Sequence, residues 1–455
     1  MSKPSPMSGF PELLPEQRFV ELHVLDRLRR VFELHGFASV ETRSVEPLDE
    51  LLRKGETSKE VYVLRRLQAE TETGDAGIGL HFDLTVPFAR YVLEYAGKLD
   101  FPFRRYQIQK AWRGERPQDG RFREFTQADI DIIGKDVLGF HHDIEVARVM
   151  AEALSELSFL PAMRLQVNNR KLIQGFYQGI GATDVDSVMR VIDKIGKVPA
   201  GVVATMLMEA GLDDTQVHQC LELAEIRSTD ASFVERVRAL GISNDLMDQG
   251  LRELAAVIEG CESVTSERFV VEADLSIARG LDYYTSTVFE TLMDGFEGLG
   301  SICSGGRYDS LASDGRTTYP GVGISLGVSR MLVPLLGRGM LQTDRSVPSA
   351  VLVALLDEQS RGTCDETAQK LRANGIPTEV APAAQKLGKQ IRYADRRGIP
   401  FVWFPGDDAR SHQVKDIRSG EQIEADPATW RPPTKDLTPT VTSNNRDIQR
   451  AEELS

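Results

Sequence analysis

Cysteine is scarce in this chain: four in 455 residues, at Cys220, Cys261, Cys303 and Cys364, with no CxxC pair. That spacing argues against a zinc ribbon and against a disulfide framework. Long apolar runs are missing too. The longest clear one, residues 350–356, falls far short of the ~18 residues a membrane helix needs and reads as a buried strand. The opening residues MSKPSPMSGF hold no apolar signal core, so a cytoplasmic protein without membrane attachment is expected. No GxxxxGK[ST] occurs, which argues against a P-loop, and no HExxH occurs. Neither a zincin nor a serine-hydrolase site is expected. The seven histidines show no metal-ligand spacing, and His141-His142 reads as a surface pair at a helix start. Basic residues are outnumbered 54 to 68, giving a net charge of −14, so a general nucleic-acid coat is excluded.

One stretch opposes the acidic average. Residues 101–125 carry seven basic side chains (Arg104, Arg105, Lys110, Arg113, Arg116, Arg121, Arg123) against Glu115, Asp119 and Glu124. That local sign invites an anionic ligand.

Periodicity divides the chain. Residues 17–36 read as an amphipathic helix and 37–42 as a strand. A second helix is expected over about 86–96. Residues 101–112 and 124–133 read as two strands of a long hairpin, with Pro117 and Gly120 as turn residues in its charged tip. Residues 172–262 carry helical periodicity with little strand signal, which predicts an all-helical module inserted into a sheet domain. Strands resume at 269–272, 287–292 and 321–326. A linker at 344–348 leads into the βαβ rhythm of a small α/β domain at 347–431. The polar tail 432–455 is expected to be disordered. The organisation expected is therefore 1–171 and 263–336 as two parts of one sheet domain, 172–262 as its insertion, then 347–431.

Four places carry chemistry. Trp112-Arg113-Gly114-Glu115 ends one hairpin strand, and the return strand presents Gln127, Asp129 and Asp131 on one face. Arginine binds phosphate bidentately and keeps its charge. A solvated strand face accounts for this pattern about as well as a polar cleft does. Arg279-Gly280-Leu281-Asp282-Tyr283-Tyr284-Thr285 precedes a strand, and core aromatics in a turn explain a single tyrosine there. Gly305-Gly306-Arg307-Tyr308-Asp309 offers close backbone approach to a ligand. Gly321 to Gly327 leads into an apolar helix carrying Arg330, which is expected to be partly buried against an anion, either ligand or structural acid. Arg113, Arg279 and Arg330 thus come from three separate segments, which is what binding a triphosphate without a P-loop requires.

At these residues the sequence resembles the histidyl-tRNA synthetases, a class II aminoacyl-tRNA synthetase family. WRGERPQDGRFREFTQADID is similar to motif 2 and GVGISLGVSRM to motif 3. ARGLDYYTSTVFE and SICSGGRYDSL resemble the two histidine-specific signatures, and LHFDLTVPFARY matches a further family stretch. The resemblance spans residues 8 to about 430. Departures are Arg43 where motif 1 usually has proline, Ser286 where glycine is common, and His81-Phe82 in place of Arg-Pro.

The resemblance implies an α+β fold: an antiparallel-sheet catalytic domain with a helical insertion, plus a C-terminal α/β anticodon-binding domain. It implies ATP-dependent ligation of L-histidine to tRNA(His) through histidyl-adenylate, with Mg2+ accompanying ATP, no dedicated protein metal site, and a homodimer. It assigns Arg113, Arg279 and Arg330 to catalysis. Histidine binding falls to Asp83, Leu84, Thr85, Arg113, Gln127, Asp131, Arg279, Tyr283, Tyr284 and Tyr308. ATP falls to Arg113, Glu115, Arg121 and Arg330, the last toward the γ-phosphate or the adenine. Contacts to tRNA are expected from Arg116 and Arg123 and, in the C-terminal domain, from Lys386, Lys389 and Arg392 on one helix face, a stripe that solvation explains equally well. A non-charging paralogue, serving as a histidine-responsive regulatory subunit, is the alternative; such paralogues lack the anticodon-binding domain and the arginine corresponding to Arg279.

Overall fold

A computed structural model describes residues 5–52, 60–66, 77–278, 283–406 and 411–444. The chain forms two compact units, one mainly from residues 24–337 and the other mainly from residues 338–445.

The first unit is organised by a nine-stranded sheet. Its spatial order is Ala38–Ser39, Phe103–Trp112, Glu124–Ile133, Gly321–Gly327, Cys303–Tyr308, Thr287–Met293, Met163–Asn169, Phe269–Asp274 and Arg227–Ser228. The six strands from Phe103–Trp112 to Met163–Asn169 are antiparallel throughout. Ala38–Ser39 joins one side in parallel, and Phe269–Asp274 pairs in parallel with Met163–Asn169 on the other. The hairpin strands fall where alternation places them, and Gln118 and Arg121 close its tip through reciprocal backbone bonds of 3.2 and 2.9 Å. Gly120 sits in that turn at φ 72°, which a side chain would strain.

Three strands of this sheet have no counterpart in the sequence analysis: Met163–Asn169, Arg227–Ser228 and Cys303–Tyr308, which holds Gly305-Gly306. A Cβ on Gly305 would lie 2.2 Å from the Gly323 carbonyl oxygen, so glycine there admits the neighbouring strand.

The insertion is not wholly helical. Residues 170–260 build six helices, but Arg227–Ser228 pairs with Phe269–Asp274 and extends the main sheet. Four of the six start on side-chain caps: Asn169, Asp184, Asn244, and Asp213 with Gln216 as a capping box. Helices Arg170–Gly179 and Asp245–Gly260 touch backbone to backbone, since a Cβ on Gly250 would meet the Leu172 nitrogen at 2.2 Å.

The second unit holds a five-stranded sheet in the order Thr378–Val380, Val351–Val353, Phe401–Phe404, Gln413–Asp416, Gln422–Glu424. The first three strands are parallel, as the βαβ pattern requires, with helices Arg361–Ala373 and Leu387–Arg396 between them. Trp403 is fully buried in its core.

The expectation of disorder from residue 432 needs correction over 432–444. Val441–Ser443 pairs with Leu341–Thr343, and Asp436 is ion-paired to Arg418 at 2.7 Å. Backbone pairing and a buried carboxylate offset the ordering entropy that composition alone said would go unmatched. The linker is pinned too: buried Arg345 donates to the carbonyls of Ser349 and Asp436 at 3.2 and 2.8 Å.

Candidate active site

Register places a band of polar residues across one face of the main sheet. Opposite one another stand Gln107, Asp129, Ser325, Ser304, Glu290, Gln166 and Glu272, contributed by seven successive strands. The next row carries Arg105, Asp131, Gly323 and Gly306. Such a row facing a core would be prohibitively costly unless it were paired or served a ligand.

Part of it is paired. Buried Arg105 forms an ion pair with Asp131 at 2.6 Å and lies 4.2 Å over the Phe88 ring. The Tyr308 hydroxyl donates to the other Asp131 oxygen at 2.7 Å. Burial pushes the Tyr308 and Tyr284 hydroxyls well above their ordinary pKa, so both are neutral donors. Missing side chains make room for this layer. A Cβ on Gly323 would fall 2.1 Å from Asp131, on Gly321 2.5 Å from the Tyr308 ring, and on Gly306 2.8 Å from Tyr284. The signature glycines therefore seat the protein's own side chains flat on the sheet.

Asp129 is 1% exposed, and among the described residues neither carboxylate oxygen has a hydrogen bond of good geometry. Burial raises its pKa to about 7; Arg105 and the Ser325 hydroxyl on the facing strand oppose the rise, and Asp131 and Asp83 add to it. The Oε1 of Gln127, two residues back on the same face, also lacks a partner.

Beside this band lies a solvent-open cleft of about 480 Å3, walled by Arg113, Glu115, Arg121, Gln127 and Arg330 among others. The Arg113 Nε donates to the Phe82 carbonyl at 3.0 Å, and the guanidinium sits 5.1 Å over the Phe125 ring. No described residue bonds its two terminal nitrogens. Phe125, which the sequence reading passed over, also lines the cavity. Two carbonyls hold the Arg330 guanidinium: its Nε donates to Gly120 at 3.0 Å and its Nη1 to Ser301 at 2.7 Å. Gly323-Ile324-Ser325-Leu326-Gly327 has the GxSxG spacing, but the strand continues through Gly327, so Ser325 sits on a flat sheet face and is no nucleophile elbow.

The basic cluster of residues 101–125 is less open than its composition implied. Arg104 pairs with Glu145, Arg105 with Asp131, Lys110 with Glu124 and Arg121 with Glu115. Arg123 donates to the Glu115 carbonyl at 3.3 Å, while Arg116 is exposed. The Oδ1 of Asp83 accepts from the Val86 N–H at 3.0 Å and so caps the helix Thr85–Tyr95; Leu84 is fully buried and Thr85 half-buried. Tyr283 donates to the Tyr284 hydroxyl at 2.9 Å. Arg279 lies outside the described residues. His142 is buried, not a surface residue; it contacts Glu145 at 2.7 Å, and burial lowers its pKa. In the second unit, Lys386, Lys389 and Arg392 are exposed at and along Leu387–Arg396.

An antiparallel sheet with an arginine-walled polar face, a helical insertion and a separate parallel-stranded domain define a class II aminoacyl-tRNA synthetase. The family model for histidyl-tRNA synthetase matches residues 9–331, and that for an anticodon-binding domain matches residues 350–429. A histidine--tRNA ligase of Micrococcus luteus is 57% identical, over 97% of this chain and 99% of its own length. One from Cutibacterium acnes is 56% identical with the same coverage. Among solved structures, a histidyl-tRNA synthetase from Nostoc sp. superposes with a TM-score of 0.83 at 32% identity, covering 99% of both chains. The chain belongs to the histidyl-tRNA synthetases, and its activity is the ATP-dependent attachment of histidine to tRNA(His).

Proposed function

We propose that the polar sheet face and the cavity beside it form the site of histidyl-adenylate synthesis. The histidine carboxylate attacks the α-phosphorus of ATP, the bond to the bridging oxygen breaks, and pyrophosphate leaves. A hydroxyl at the tRNA 3′ end then attacks the acyl carbon and AMP leaves. The protein's work is positioning and charge stabilisation. The observation that carries this reading is Arg113, held by its Nε and by Phe125 with both terminal nitrogens facing no described partner, at the wall of the cavity.

In this reading Arg113 and Arg279 stabilise the α-phosphate, and Arg330, fixed by two carbonyls, walls the nucleotide with Glu115 and Arg121. Histidine lies along Asp83, Leu84, Thr85, Gln127, Asp131, Tyr283, Tyr284 and Tyr308. Because Asp83, Asp131 and Tyr308 already hold one another or a helix end, they shape the pocket as much as they bond its occupant. Mg2+ enters with ATP and offsets phosphate charge. Among the described residues no group of three or more His, Cys, Asp or Glu could cage a metal. Glu115 fits as a single hard carboxylate ligand to an ion that keeps phosphates and waters.

Lys386, Lys389, Arg392 and, at the hairpin tip, Arg116 and Arg123 supply phosphate contacts to tRNA. Two copies pair through residues 17–50, where the short strand Ala38–Ser39 leaves an exposed sheet edge. No described helix is long and apolar enough to cross a membrane, and the protein works in the cytoplasm. Histidine-dependent ATP–pyrophosphate exchange tests the reading. Exchange with histidine and none of the other common amino acids is expected; histidine binding without exchange would favour the regulatory paralogue instead.

A further inference from the structure

We propose that Glu253, on the helix Asp245–Gly260 of the insertion, is a positioning residue for the amino-acid side of the reaction: it acts through Ser286 and fixes where Tyr283 and Tyr284 stand. The proposal rests on the adenylate-site reading above and names what holds one wall of that site from behind. The corner between the strand Met163–Asn169 and the helix Arg170–Gly179 directs its polar groups at the segment that leads into the strand Thr287–Met293. The Arg170 N–H donates to the Ser286 carbonyl at 2.8 Å, and the Arg170 Nη1 donates to the Tyr284 carbonyl at 3.3 Å. The Asn169 side-chain amide donates to the Ser286 hydroxyl at 3.1 Å. Tyr284 and Ser286 are therefore gripped by the residues at which the insertion begins.

Glu253 is the acceptor on which this corner converges. Its Oε2 accepts from the Ser286 hydroxyl at 2.6 Å and from the Asn169 amide at 2.9 Å. Its Oε1 accepts from the Lys171 ammonium at 2.6 Å and from the Gln249 amide at 2.9 Å. Burial would raise the Glu253 pKa, but the bonds donated by Lys171, Ser286 and Asn169 outweigh it and hold the carboxyl below its ordinary value. Bonds to an ionised acceptor are short and strong, and Ser286 and Asn169 are fully buried, where a lost acceptor is costly. Gly250, one turn earlier on the same helix face, brings the carboxylate within reach. A Cβ there would lie 2.2 Å from the Leu172 nitrogen and 2.9 Å from the Asn169 Oδ1.

The segment is fixed on its other side as well. The Thr285 N–H donates to the Arg307 carbonyl at 2.8 Å, the Thr285 hydroxyl donates to Asp309 at 2.5 Å, and the Tyr284 ring lies against Gly306, where a Cβ would fall 2.8 Å away. Held from both sides, Tyr283 and Tyr284 have one arrangement, in which the first hydroxyl donates to the second at 2.9 Å. An ion pair with Lys171 alone would join the two helices equally well. The bond to Ser286 is what carries the position of Glu253 to the tyrosines, and such support is what keeps binding groups within the narrow tolerance a preorganised site needs.

The test is ATP–pyrophosphate exchange by the full chain and by Glu253→Ala, Ser286→Ala, Glu253→Gln and Lys171→Ala, with KM measured separately for histidine and for ATP and a melting temperature for each. Glu253→Ala and Ser286→Ala are each expected to raise the histidine KM fivefold or more and to move the ATP KM less than twofold. Their combination should add less than a further twofold, because both remove one interaction. Glu253→Gln, which keeps an acceptor oxygen for Ser286, should restore the histidine KM to within threefold of the parent. Lys171→Ala removes the ion pair and leaves the Ser286 bond, so its histidine KM should stay within twofold whatever its melting temperature. Should Glu253→Ala fail to fold, Ser286→Ala decides, since it deletes one hydroxyl and no charge. A smaller rise in the histidine KM of Ser286→Ala, an equal rise in its ATP KM, or an equal effect in Lys171→Ala would make Glu253 a structural residue only and overturn the proposal. Absence of histidine-dependent exchange in the unmodified protein, or a histidine KM unmoved by Tyr284→Phe, would instead overturn the adenylate-site reading beneath it.

Discussion

The two units use charge in opposite ways. In the first, Arg105, Asp129 and Asp131 are all buried on the sheet face, where each interaction is strong and each unmet group is costly. In the second, Lys386, Lys389 and Arg392 are exposed, where single charges count for little and only their sum attracts a polyanion. A preorganised site for a small substrate needs the first arrangement. A surface that receives a large anionic polymer needs the second. It also resolves the net charge of −14: attraction to tRNA comes from patches and not from the whole body.

The comparison breaks most visibly if a buried charge can be removed cheaply. Arg105→Met leaves Asp131 buried without its cation, and a loss of about 3–5 kcal/mol in unfolding free energy is expected by urea titration. A loss under 1 kcal/mol would mean that the sheet face is wetter than its burial indicates. Next comes Arg113→Ala, which removes a charge-stabilising contact without leaving a buried acid unpaired. Adenylate formation should fall about 10²–10³-fold, roughly 3–4 kcal/mol, while unfolding is little changed. Arg279→Ala is expected to behave alike in exchange kinetics.

Asp129 gives the comparison a pH signature. Its pKa is raised to about 7 in the folded protein, so its contribution to stability is fully present below the unfolded value near 4 and is lost as pH rises through about 7. The loss is on the order of a few kcal/mol. Melting measured from pH 4 to 8 should show this component in the parent and not in Asp129→Asn. The smallest effect belongs to the exposed helix. Lys389→Glu with Arg392→Glu should weaken tRNA binding and lower its salt slope by about 1–2, since each lost phosphate contact removes about 0.7–0.9. An unchanged slope would make the stripe a solvated face and nothing more.

How far the sequence revealed this depends on what each residue contacts. The hairpin was legible because alternation and the turn residues Pro117 and Gly120 are local signals. The Cys303–Tyr308 strand was not, because Gly305 and Gly306 mask strand propensity for a reason that lies on neighbouring segments. Arg113, Glu115, Arg121, Gln127 and Arg330 do meet at one cavity. Arg105 looked like one more base in a cationic run, and only strand register shows that it is consumed by Asp131. Spacing groups Asp129 with Gln127 and Asp131, but its complete burial becomes visible only once the facing strands are in place. The ordering of 432–444 depends on Arg418 and on Leu341–Thr343, which composition could not supply.

The division of labour is tested most directly by ATP–pyrophosphate exchange without tRNA, run in parallel on the unmodified chain, on Arg113→Ala and on Lys389→Glu with Arg392→Glu. The account predicts exchange that requires histidine, falls about 10²–10³-fold in the first variant and stays within twofold in the second. Exchange that proceeds without histidine, or that falls equally in both variants, would contradict it.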